Sequence, residues 1–73
     1  MKNASELNFG EKAVIKDINS SNPYYKRLLE IGFTPGEEIE LINTSIFNDP
    51  MTFSLRGTLI AIRKKQAESI LIS

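Results

Sequence analysis

The chain has 73 residues, nine of them basic and nine acidic, and it contains no histidine, cysteine or tryptophan. So short a chain buries little apolar surface. Without cysteine it has neither disulfides nor the Cys/His zinc site that often braces small domains.

The neutral balance also argues against nucleic acid as a partner, because phosphate binding draws a basic excess. No run of about 20 apolar residues is present to cross a membrane. The N-terminus has no apolar run of about 7–15 residues suited to secretion. A cytoplasmic protein is expected, with one domain over 1–73 and residues 1–8 as a flexible or loosely packed lead-in.

Gly10 and "NSSN" bound "EKAVIKDI", whose Val14, Ile15 and Ile18 favour a strand from Glu11 to Ile18. "SNPYYKRLLEIG" reads as a helix. Asn22 is its N-cap and Pro23 its first residue, where the missing N–H costs nothing. Tyr25, Leu28, Leu29 and Gly32 recur at helical spacing. The helix has only two to three turns by the usual 3.6-residue count, so its stripe needs a sheet to pack on.

Gly32 suits the left-handed position after a helix, and Phe33 would then fold back over Leu28. Thr34-Pro35-Gly36 follows as a type II turn. "EIELINTSI" is a strand with Ile39 and Leu41 on one face and Ile42 on the other. In "FNDP", Asn48 and Asp49 form a turn that Pro50 closes. "MTFSLRG" places Met51, Phe53 and Leu55 on one face and Thr52, Ser54 and Arg56 on the other. Gly57 connects to the strand "TLIAIR", "KKQAES" is one helical turn, and "ILIS" is a last strand. Short strands at close spacing point to a closed all-β fold. The expected architecture is a five-stranded SH3-like barrel with the helix between the first two strands, and an open α+β sheet is the alternative.

Reactive chemistry is sparse. No motif places a base beside a serine or threonine nucleophile. Glu38 and Glu40 share a strand face, but exposed strand glutamates are commonplace. The acidic residues lack calcium-loop spacing, and the four glycines lie too far apart for a phosphate loop. Tyr24 and Tyr25 are adjacent in one helix and do not line a proline-peptide groove. No cofactor and no metal site are expected. Elimination leads to a non-enzymatic adaptor or regulatory module.

One resemblance extends this reading. "YYKRLLEIGFTPGEEIELI" and "FNDPMTFSLRGTLIAIRKKQAESILI" resemble the FeoA family of ferrous iron transport proteins. Arg27-Leu28, Ile31-Gly32-Phe33, Pro35-Gly36, Asp49-Pro50, Arg56-Gly57, Arg63 and Ala67-Glu68 match its pattern in order, and "LNFGEKAVIKDI" fits its lead-in. Asn48 stands where the turn often has glycine, and Ile62 where leucine is usual. The resemblance implies an SH3-like barrel and a cytoplasmic, non-catalytic role in bacterial ferrous iron uptake. The implied partner is the FeoB permease with its cytoplasmic G-protein domain, and recruitment to the inner face of the membrane would follow. A weak homo-oligomer is allowed for.

The alternatives are a GTPase-activating protein using Arg27, Arg56 or Arg63, and a stand-alone interaction module related to the C-terminal domain of iron-dependent repressors. Iron held between protomers by Glu and Asp is a third reading. The expected protein-binding residues are Tyr24, Arg27 and Phe33 as exposed anchors, with Asp49 and Arg56 as polar partners.

Overall fold

The computed structural model describes residues 2–44, 47 and 49–73. Five antiparallel strands form one sheet: β1 Lys12–Ile18, β2 Glu38–Thr44, β3 Met51–Leu55, β4 Thr58–Ile62 and β5 Ile70–Ile72. Their order across the sheet is β4-β3-β2-β1-β5. Helix α1 (Tyr25–Ile31) joins β1 to β2, and the short helix α2 (Lys64–Ala67) joins β4 to β5. This is the expected SH3-like arrangement. Asn48 of the expected turn, and Ser45 and Ile46 of the expected strand, lie outside the described residues.

The curl of the sheet comes from β1. Its first half, Lys12–Val14, pairs with β2, while Ile15–Ile18 pairs with β5. Passing one strand between two ladders wraps the sheet around a single interior. Two irregularities adjust which side chains face inward. The β1–β5 register shifts between Ile15 and Asp17, so Ile15 and Ile18 are both buried although they are three residues apart. A regular strand would put them on opposite faces. A second shift between Leu41 and Asn43 interrupts the β2–β3 ladder at Ile42.

The interior joins Ile39 and Leu41 of β2 to Met51, Phe53 and Leu55 of β3. Ile15, Ile18, Leu28, Ile70 and Ile72 complete it from the other elements. The alternation expected in "MTFSL" is present, with buried and half-buried residues in strict turn.

Helix α1 begins later than the sequence indicates. Asn22 does accept an otherwise unpaired amide, that of Tyr24 at 2.8 Å, but Pro23 and Tyr24 lie in a preceding turn. The helix ends as expected. Phe33 N–H donates to Leu28 O at 3.0 Å and Gly32 N–H to Leu29 O at 3.1 Å, the two bonds of a Schellman motif. Gly32 has φ 124°, and a Cβ there would meet Leu55 Cδ2 at 3.3 Å. The Thr34–Glu37 turn follows, closed by Glu37 N–H on Thr34 O at 3.1 Å.

Described residues of the lead-in pack against the core. Residues Ala4–Glu6 form a 3-10 turn in which Asn3 Oδ1 accepts from Ser5 N–H and Glu6 Oε2 accepts from Asn3 N–H. Ala4 and Leu7 are buried in the core. Asn3 also bridges Leu71 on the outer side of β5. Two buried apolar side chains, a reciprocal cap and the bridge to β5 together dock the segment.

Candidate functional site

A shallow groove of about 330 Å³ crosses β1, β2 and the β3–β4 turn. The strand register builds it. Lys12 sits opposite Glu40, and Glu40 opposite Ser54, so alternate outward positions of three strands form one polar row. Glu37 and Glu38 extend that row at the start of β2, and Arg56 closes its end from the turn.

Arg56 is held there by local geometry. The two-residue link from Leu55 to Thr58 has positive φ at both central positions, 53° for Arg56 and 77° for Gly57. This is the conformation that a tight hairpin needs to match strand twist. It turns the Arg56 side chain back to hydrogen-bond Glu37 Oε1. The backbone of Glu37 is fixed in turn, because its carbonyl accepts from Ile15 N–H at 2.8 Å. The hydrogen bond from Arg56 holds the Glu37 carboxyl below its ordinary range and outweighs the opposing effect of partial desolvation; the nearby positive charge adds to it. The same bond raises Arg56.

Charged walls and an open shape suit the contours of a protein partner better than a small apolar ligand, whose pockets are mostly hydrophobic. Among the described residues no group of three or more His, Cys, Asp or Glu side chains is placed to hold a metal ion. Among them, too, no helix is long and apolar enough to cross a membrane.

The five residues expected to form one docking surface do not come together. Phe33, taken as an exposed anchor, is fully buried. Its ring meets Phe53 edge-on, with centroids 6.3 Å apart and planes at 84°. The position directly after a Schellman glycine carries an apolar side chain inward, and that packing overrides any contact role. Tyr24 is half-buried against the core, and Arg27 is exposed on α1.

Asp49 and Arg56 are not neighbours, because β3 separates them by about 17 Å at 3.3 Å per residue. Asp49 instead accepts from Lys64 N–H at 3.1 Å and lies 3.7 Å from Arg63 Nη1, tying the β2–β3 connection to α2. Lys12 and Ser54 escape sequence reasoning. Their signal is a cross-strand row, which needs the register. The shared face of Glu38 and Glu40 is visible in the sequence alone.

An antiparallel five-stranded sheet with a helix after its first strand and a split β1 defines a small SH3-like domain. The chain belongs to the FeoA family, whose domain matches residues 2–73. It is 30% identical over 66 residues to the Fe(2+) transport protein A/Fe(2+) transporter FeoB fusion protein of Porphyromonas gingivalis. That match covers 90% of this chain and 8% of the fusion protein, so the chain spans a small part of that relative's length. It is 32% identical to the iron(II) transport protein A of Clostridium thermocellum in its solution structure, with a TM-score of 0.89 over 97% of this chain and 44% of that one. The crystal structure of Stenotrophomonas maltophilia FeoA complexed with zinc, described as a prokaryotic SH3 domain protein, has a TM-score of 0.88. At 23% identity over 100% of this chain and 91% of that chain, it bears on the fold alone. The family is one of ferrous iron transport.

Proposed function

We propose that this chain is a non-catalytic accessory module of ferrous iron uptake that docks on the cytoplasmic part of a FeoB-type permease and modulates it. The observation that carries this reading is the Porphyromonas gingivalis relative. There a segment similar to 66 residues of this chain is joined covalently to the FeoB transporter. Fusion imposes a high effective concentration on two partners, an arrangement useful when they must meet. The charged groove, with Arg56 at its end, is the contact surface proposed here, and Tyr24, in the turn before α1, with Arg27 on α1 is a second one.

The test is binding of the purified protein to the soluble cytoplasmic domain of the permease from the same organism, with GDP and with a GTP analogue. Binding that Lys12→Glu or Arg27→Ala weakens at least tenfold, with folding unchanged, is the expected result. No binding in either nucleotide state would overturn the reading for that domain.

One observation favours a second reading, in which the protein activates GTP hydrolysis by the permease. Such a mechanism needs an exposed, uncommitted arginine worth about 10³–10⁵ in rate. Arg56 is bonded to Glu37 and Arg63 lies beside Asp49, whereas Arg27 is exposed and has no ion pair among the described residues. Turnover raised at least about 10³-fold, and lost in Arg27→Ala, would carry that reading. Turnover unchanged at saturation would refute it.

A further inference from the structure

The two edges of the sheet are finished differently. On the β5 edge, Ile72 N–H donates to Lys2 O at 2.9 Å and Asn3 bridges Leu71, so the lead-in covers that edge. The β4 edge has no such cover among the described residues. Edge strands are usually protected by a charge, a proline or a bulge. β4, "TLIAI", has no charge and no proline, and its register with β3 runs without a shift from Leu55 and Thr58 to Met51 and Ile62.

The tight Arg56-Gly57 turn makes Leu55 and Thr58 a hydrogen-bonded pair. Alternation along the ladder then gives bonded pairs Phe53–Ile60 and Met51–Ile62. The N–H and C=O groups of Leu59 and Ala61 therefore point away from β3. Both side chains are exposed, Leu59 by 63%.

We propose that β4 is a homodimerisation edge, on which two copies of this chain pair antiparallel about a two-fold axis at Ile60. That axis sets Leu59 of each copy opposite Ala61 of the other. All four residues carry outward backbone groups, so the register makes four N–H···O bonds. Centring the axis on Leu59 or on Ala61 would match only one such pair. Within the paired strands no charge faces another charge, and Leu59 packs beside Ala61 across the junction. Head-to-tail growth from β4 onto β5 is blocked by Lys2 and Asn3, so the assembly closes as a dimer and does not propagate.

The product is a continuous ten-stranded sheet with both charged grooves on the same face. A contact this short buries less than the roughly 1,200 Å² of a stable interface, so the dimer is weak and concentration-dependent. The inference rests on β4 alone and does not depend on the permease reading.

The test is sedimentation equilibrium on the full chain up to about 1 mM, with hydrogen exchange at the lowest and highest concentrations. Wild type is expected to approach twice the monomer mass, with Leu59 and Ala61 amides slowed only at high concentration. Ala61→Pro removes an outward N–H without touching the β3 ladder, and Leu59→Lys adds an edge charge. Both are expected to stay monomeric with unchanged circular dichroism, and Leu59→Lys serves alone if the proline variant does not fold. Wild type monomeric throughout would overturn the proposal. So would dimerisation undiminished in Leu59→Lys, which places the contact elsewhere. Protection of β4 only on adding the permease domain would overturn it too, in favour of that occupant.

Discussion

Replacing Gly32 by alanine tests the helix-to-strand corner at its tightest point. Gly32 has φ 124° and ψ 4°, well beyond the left-handed region near φ 50–70° that a side chain tolerates. Forcing a non-glycine residue into such a conformation costs roughly 1–3 kcal/mol. The added Cβ would also press on Leu55 Cδ2 at 3.3 Å, the end of a flexible side chain that yields with a small shift. Backbone strain therefore dominates, and Gly32→Ala should lose about 2 kcal/mol, or roughly 8–16 °C in Tm for a domain of this size.

A paired substitution separates strain from crowding. Asparagine tolerates the left-handed region but not φ 124°, so Gly32→Asn should be no better than alanine. Gly57, at φ 77° with nothing within 4 Å of an added Cβ, should accept asparagine for less than about 0.5 kcal/mol. Urea unfolding followed by far-ultraviolet circular dichroism measures all three variants without tryptophan. A Gly32→Ala protein within about 0.5 kcal/mol of wild type, or a Gly32→Asn protein as stable as wild type, would refute the argument.

Two further predictions concern contacts far apart in the chain. Leu7→Ala should cost about 2 kcal/mol or more, because Leu7 is buried, and should speed hydrogen exchange in β5; no change in either would mean that the lead-in contributes nothing. The Glu37–Arg56 bond predicts a pH dependence whose sign follows from the lowered Glu37 value. Its stabilisation is fully present above the ordinary carboxylate pKa and is lost as pH falls through the depressed one. The Tm difference between wild type and Glu37→Gln should therefore shrink as pH is lowered below 4.5, and a difference constant with pH would refute the pairing.

The parts of this fold that are legible in the sequence are those governed by punctuation. Gly32 and Phe33 announce the Schellman end, Pro35-Gly36 the turn, and Gly57 the hairpin, because each acts within a few residues. Alternation marks the inward face of β3 for the same reason. Features that depend on what lies across the sheet are not legible. The register shift at Lys16, which turns Ile15 and Ile18 to the same side, has no local signature. The docked lead-in fails for a related reason, since Ala4 and Leu7 show no periodic pattern and their burial depends on β5 and α2 being beside them.

The candidate site divides along the same line. Phe33 carries two conflicting signals, an apolar side chain free to contact a partner and the inward position after a helix-ending glycine. The backbone geometry decides between them, because the Phe33 N–H bonded to Leu28 O directs the side chain into the core. Arg56 and Glu37 are 19 positions apart, and nothing in either segment names the other. They meet because the β1–β2 and β3–β4 ends converge at one corner of the sheet. Strand register thus creates the groove from residues that are individually ordinary. A charge reversal at Lys12 or Glu40 should accordingly alter binding at the groove while leaving the fold intact, which is the distinction that the binding assay reads.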